Sequence, residues 1–193
     1  SRVENYIKYR PGYPNGVIET LRSECGLTSD SIIADVGSGT GILTGMFLQI
    51  GATVYGIEPN REMREAAERL LKDYPLFRSI AAKAEETTMD DASVDFITAG
   101  QAFHWFDRER ARTEFARILS PRGWIAMIWN ERLTTTTPFL VACEQLLKDY
   151  STDYELVDHR RIDDDVIRDF FGSDRYRLKQ FDNIQVFDYE GVK

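Results

Sequence analysis

The residues best able to do chemistry in this chain form one short run, Asp35-Val36-Gly37-Ser38-Gly39-Thr40-Gly41. It continues the apolar run that starts at Ile32, which reads as a buried strand. It precedes Ile42, Leu43, Met46, Phe47 and Ile50, which recur at helical spacing. Glycines in a strand-to-helix turn let the backbone bend sharply and approach a ligand, and the helix that follows offers free N–H groups. Glycines alone would fit a tight turn with no ligand equally well. Two acids change the balance. Asp35 lies two residues before the first glycine, and Glu58 ends the next apolar run, 21 residues after Gly37. An acid in Glu58's place can accept hydrogen bonds from both ribose hydroxyls of a nucleoside. Asp35 as a loop cap and Glu58 as a surface charge are the plainer readings. Their occurrence together with the glycines points to a nucleoside cofactor.

A dinucleotide fingerprint wants G-x-G-x-x-G, but Ile42 stands where its third glycine belongs and Gly41 comes one residue early. An acid at the start of the loop repels a pyrophosphate and suits a ligand with an ammonium group. S-adenosylmethionine carries an ammonium and a sulfonium, so it is favoured over NAD. No G-K-[ST] follows, which excludes a nucleotide-triphosphate loop.

The elements that must position this loop alternate. Strands are expected over 32–36, 53–57, 77–81, 94–99 and 124–129, and helices follow the first, second and fourth. Asn60 and Asp107 stand where two of those helices would be capped. Ser120-Pro121-Arg122-Gly123 reads as a turn. Beyond Trp129 a polar Thr134–Thr137 stretch, a helix from Pro138 to about Tyr150, a short helix at 163–171 and a strand at 176–181 are expected. The fold class is α/β, a Rossmann-like doubly wound, mostly parallel sheet with helices on both faces. One domain of 193 residues is expected, with a helical N-terminal lid (1–30), a cofactor-binding core (31–130) and a substrate-side elaboration (131–193).

The net charge of −8 disfavours a nucleic-acid partner held by its phosphates. No apolar run is long enough to span a membrane, so no membrane partner is expected. Cys25 and Cys143 lack metal-ligand spacing, so no metal site is expected, and a cytoplasmic location is the default.

On these residues the chain resembles the class I S-adenosylmethionine-dependent methyltransferases, in particular the small-molecule branch of trans-aconitate and ubiquinone/menaquinone type. The likeness covers roughly residues 1–130. The glycine loop looks like the family's first motif, and Glu58 followed by Pro59 looks like its ribose-binding acid. Lys83-Ala84-Glu85 resembles the segment flanking the adenine, which implies contacts from Ala84 and Glu85. Gln101-Ala102-Phe103-His104-Trp105-Phe106 resembles the motif lining the methyl-donor cavity. Tyr9-Arg10-Pro11-Gly12-Tyr13-Pro14 resembles an N-terminal signature that folds over the cofactor.

The resemblance implies a methyl transfer to a small-molecule acceptor, with S-adenosylhomocysteine as product. The cofactor-binding residues are then Asp35, Gly37, Ser38, Gly39, Thr40, Gly41, Glu58, Pro59, Ala84, Glu85 and Gln101, with Tyr9 and Arg10 at its carboxylate or in a lid. His104 either faces the transferable methyl, where it positions or deprotonates the acceptor, or packs beside Phe103 and Trp105. Trp105, Phe106 and Trp129 are the expected acceptor-pocket residues, with a place in the core as the other reading for the aromatics. His159-Arg160-Arg161 reads as a solvated turn, neutralised by neighbouring acids. An NAD-dependent oxidoreductase and a non-catalytic binding module are the competing readings. Monomer and dimer are equally open. The family sheet has strand order 3-2-1-4-5-7-6, and the chain supplies too few strands to complete it, so its C-terminal part is expected to be incomplete.

Overall fold

The computed structural model describes residues 8–151, 164–172 and 176–186. His159, Arg160 and Arg161 lie outside them. The chain divides into two units, one of residues 1–128 with 177–193 and one of residues 129–176.

The first unit is built on β1 (Ile32–Val36), β2 (Thr53–Ile57), β3 (Phe77–Ile80), β4 (Val94–Gly100) and β5 (Leu119–Ile128). They form one sheet in the order β3-β2-β1-β4-β5, and every pairing is parallel. The helices are α1 (Gly16–Cys25), α2 (Ile42–Gln49), α3 (Arg61–Leu70) and α4 (Arg108–Ile118). The crossover order brings the carboxyl ends of β1 and β4 side by side. In open α/β sheets that switch point is where ligands gather. β1 and β4 are central strands and mostly buried, as strands covered on both faces must be, with Asp35 and Thr98 as buried polar exceptions. Ile33, Val54, Phe47, Leu43 and Phe96 join Val17, Ile18 and Leu21 of α1 in one core cluster. The helix starts follow their caps. Asn60 Oδ1 accepts from Met63 N at 3.1 Å, and Asp107 Oδ1 accepts from Arg110 N at 3.2 Å.

Two sequence expectations fail. Ser120 to Gly123 is not a turn between elements but part of β5, which pairs with β4 from Leu119 onward. Val94 faces Leu119 and Phe96 faces Trp124, so β5 carries extra residues there and bulges. Residues 176–186 hold no strand. Among the described residues β5 therefore pairs on one side only, and its side chains are mostly half-buried rather than covered on both faces.

A buried carboxylate ties α4 to the segment before β4. Glu114 Oε1 accepts from Thr87 N at 2.8 Å and from Arg117 Nη2 at 2.8 Å, while Oε2 accepts from Arg117 Nε at 2.9 Å. The Arg117 guanidinium, more than the Thr87 donors, holds the Glu114 carboxyl down at about 2. Glu114→Gln keeps the shape but halves the acceptor capacity. It is expected to cost about 2 kcal/mol in urea unfolding at neutral pH; an unchanged midpoint would remove Glu114 as the anchor.

The second unit contains α5 (Pro138–Tyr150) and α6 (Asp164–Phe171). Thr137 Oγ1 caps α5 by accepting from Leu140 N at 3.2 Å, and Glu144 pairs with Arg132 and Lys148.

Candidate functional site

The glycine loop leaves β1 and is hooked at once to the end of β2: Gly37 N and Ser38 N both donate to Ile57 O, at 2.8 and 3.2 Å. Gly37 has φ +69°, and a Cβ there would stand 2.4 Å from Ala102 Cβ, so this glycine is required by packing. Gly39 differs. Its φ is +57°, yet a Cβ would meet no atom within 4 Å, so its outer face is open. Gly41 then begins α2 by accepting from Gly45 N at 2.8 Å.

Beside Gly39 stands Thr40, 2% exposed, whose Oγ1 has no hydrogen-bond partner among the described residues. A buried hydroxyl left unmade costs roughly 1–3 kcal/mol, so an orphan of this kind calls for an explanation. Ser38 Oγ packs 3.1 Å from the place a Cβ would take on Gly56.

Glu58 bridges this loop to the start of α3. Its Oε2 accepts from Gly39 N at 2.9 Å and its Oε1 from Asn60 N at 2.8 Å, across Pro59. It is 8% exposed. Each carboxylate oxygen keeps a second lone pair, so the group can still accept from a diol placed over Gly39.

Asp35 lies under the loop rather than in it. Its carboxylate is 1% exposed. Oδ2 accepts from Thr44 Oγ1 of α2 at 2.5 Å, and Oδ1 accepts from Thr98 Oγ1 of β4 at 2.9 Å. Burial, only partly offset by these donors and reinforced by the Glu58 charge, pushes its carboxyl up to about 6. Thr44 and Thr98 are site residues that sequence reasoning missed. Each is a hydroxyl in an otherwise apolar, buried stretch, and that was the available signal.

On the far side, Ala84 is buried and Glu85 is half-buried in a tight turn where Lys83 bridges Glu86. Glu85 Oε1 accepts from Asp107 N at 2.8 Å, tying this turn to the start of α4. At the end of β4, Gln101 has φ +56°, a left-handed conformation that costs a residue with a Cβ roughly 1–3 kcal/mol. Its N–H donates to Ile128 O at 2.9 Å and so closes the ends of β4 and β5.

The aromatic run that follows is a 3-10 turn over Phe103–Trp105. Phe103 is fully buried, His104 half-buried and Trp105 68% exposed. The His104 and Trp105 rings lie 4.8 Å apart, tilted by 46°. Trp105 thus stands largely in solvent. Phe106 makes edge contacts with Phe103 and Phe115, at 6.0 and 6.1 Å, and lies beneath Gly37. Phe106 itself is half-buried. Trp129 opens the second unit.

The N-terminal signature enters through a residue not singled out from the sequence. The Tyr13 hydroxyl lies 2.6 Å from where a Cβ would be on Gly100, and Leu43 of α2 closes the same spot at 3.1 Å. Tyr9 is 40% exposed with Lys8 Nζ over its ring at 4.9 Å, and Arg10 is half-buried.

A hollow of about 300 Å³ lined by Cys25, Thr28, Asp95 and Trp124 lies at the opposite, amino end of β1 and β4. One of its acids is already engaged, since Asp95 Oδ2 accepts from Ile32 N at 2.9 Å. It has no part in the loop's chemistry. Among the described residues no three metal-ligating side chains cluster, and no helix is long and apolar enough to cross a membrane.

Residues 34–127 match a family described as a methyltransferase domain. An uncharacterized methyltransferase of Schizosaccharomyces pombe is 33% identical over 147 residues, which is 76% of this chain and 57% of that protein. An uncharacterized methyltransferase of Mycobacterium tuberculosis is 36% identical over 132 residues, 68% of this chain and 51% of its own length. The chain thus spans little more than half the length of the curated relatives it matches. The crystal structure of a SAM-dependent methyltransferase from Aquifex aeolicus aligns with TM-score 0.57 at 20% identity, covering 77% of this chain and 87% of that one; it bears on the fold alone.

Proposed function

Since the chain belongs to the class I S-adenosylmethionine-dependent methyltransferase family, we propose that it moves a methyl group from S-adenosylmethionine to a small-molecule acceptor by in-line displacement. One observation carries the cofactor half of this reading. The Glu58 carboxylate is held against Gly39 N, 2.9 Å away, beside an open glycine face and the orphan Thr40 hydroxyl. A nucleoside over Gly39 would give Glu58 its diol and Thr40 its missing partner.

In this reading the backbone of Gly37, Ser38, Gly39, Thr40 and Gly41 cradles the cofactor, and Pro59 shapes its ribose edge. Ala84 and Glu85 flank the adenine. Gln101, Tyr9 and Arg10 face the methionine portion. Asp35 supports the loop from below and answers the ligand's ammonium charge. When bound, S-adenosylmethionine supplies an electrophilic methyl on a good leaving group, so the chain need only align the acceptor and exclude water. Among the described residues, half-buried His104 is the candidate to take a proton from the acceptor. Trp105 and Phe106 are kept as acceptor-side residues. The net charge of −8 and two free thiols fit a small-molecule acceptor and the cytoplasm.

S-adenosylhomocysteine at a hundred times its dissociation constant should raise the unfolding temperature by about 5–10 °C, and NAD should not. Gly39→Ala should fold with a small loss of stability but bind S-adenosylhomocysteine at least about tenfold more weakly, because its methyl enters the ligand's space. Stabilisation by NAD alone, or an unchanged affinity in the Gly39 variant, would overturn the reading. Labelled methyl offered with a panel of acids, amines and phenols would then find the acceptor.

A further inference from the structure

Residues 177–185 have the period of a strand but no strand partner among the described residues, and every second side chain is engaged. Arg177 and Lys179 both pair with Glu24 at the end of α1, at 3.2 and 2.5 Å. The Phe181 ring covers Gly16 at the start of α1, so closely that a Cβ there would lie 2.7 Å from it. Asn183 Nδ2 donates to Gly12 O at 2.8 Å, and Gln185 Nε2 donates to Tyr9 O at 3.2 Å. The intervening Leu178 and Ile184 point outward, 71% and 82% exposed. The segment therefore runs antiparallel along α1 and finishes on the backbone of residues 9–12. It is held by side-chain hydrogen bonds and ion pairs rather than by burial.

We propose that this segment is a strap whose Asn183 and Gln185 are positioning residues for the nucleoside site. They grip the carbonyls of Gly12 and Tyr9. The residue after Gly12 is Tyr13, whose hydroxyl sits against Gly100 and Leu43 where β4 ends and α2 begins. Fixing residues 9–12 thus fixes the Tyr13 ring at the mouth of the loop, and with it Tyr9 and Arg10. An element held by exposed polar contacts and one partly covered ring opens at low cost. The strap thereby makes the affinity for the cofactor depend on a segment far along the chain. This rests on the proposed S-adenosylmethionine reading of the loop.

The test uses the whole chain with Asn183→Ala and Gln185→Ala combined, and Leu178→Ser as a control on the outward face. In the double variant, amide exchange over residues 8–13 should quicken several-fold without ligand, and the dissociation constant for S-adenosylhomocysteine should rise about fivefold. The control should match wild type in both. Unchanged exchange in the double variant, or equal effects in the control, overturns the strap. Quickened exchange with unchanged affinity overturns its link to the site. Failure of the wild type to bind S-adenosylhomocysteine at all overturns the functional reading instead, while the exchange measurement still decides the strap.

Discussion

Glu58→Ala is expected to weaken S-adenosylhomocysteine binding about a hundredfold in titration calorimetry near neutral pH. Two effects combine. A hydrogen bond to a charged acceptor is worth roughly 1.5–3 kcal/mol, and a ribose diol offers two donors. The same carboxylate also holds Gly39 N and Asn60 N, so its loss loosens the loop that must approach the ligand. Together these approach 3 kcal/mol, or about two orders of magnitude in affinity. Glu58→Gln keeps one carbonyl oxygen and should lose only about tenfold. Stability should fall modestly in both, since the two N–H groups lie near the surface and can turn to water. An alanine variant that binds as tightly as wild type would take Glu58 out of the nucleoside site. A variant that loses stability in proportion to affinity would make it a loop fastener only.

The parts of this site that could be read from the sequence are those whose cause is local. Asp35 and Glu58 end apolar runs, and Asn60 and Asp107 precede helical periodicity, so their places follow from strand and helix chemistry within a few residues. Thr44 and Thr98 could not be paired with Asp35, because the contacts span α2 and β4, which meet only in the folded sheet. Phe106 and Trp105 are neighbours of similar composition, and only the 3-10 turn decides which ring goes inward. Ser120-Pro121-Arg122-Gly123 carries turn residues, but the ladder to β4 absorbs them as a bulge. Residues 176–179 do alternate as a strand should. Their partner is a helix flank, met through side chains, and the period alone does not distinguish that from a sheet edge.

Asp35 carries the largest expected pH effect. Its carboxyl is raised to about 6 in the folded chain against an ordinary value of 3.8. Between those values the folded state binds more protons than the unfolded state. Stability must therefore fall as pH rises through that window, by about 3 kcal/mol from this group, and stay lower above it. Glu114 acts with the opposite sign: held down at about 2 by Arg117, it contributes stability that is lost as pH drops below the ordinary carboxylate range. The groups facing Asp35 are Thr44 from α2, Thr98 from β4 and the Glu58 charge at the end of β2. The threonines do not titrate, so the loss of stability with rising pH between about pH 4 and 6 is assigned to Asp35, set against an opposite contribution from Glu114 in the lower part of that range. Urea unfolding across that range should show it in wild type, and Asp35→Asn, which keeps the shape, should flatten it. An equal slope in the variant would assign it elsewhere. The ligand should reverse the preference. An ammonium over the loop favours the ionised carboxylate, so S-adenosylhomocysteine should bind more weakly as pH falls through 6, with Asp35→Asn showing no such dependence. That combination separates a buried acid that only braces the loop from one that also answers the charge of what the loop holds.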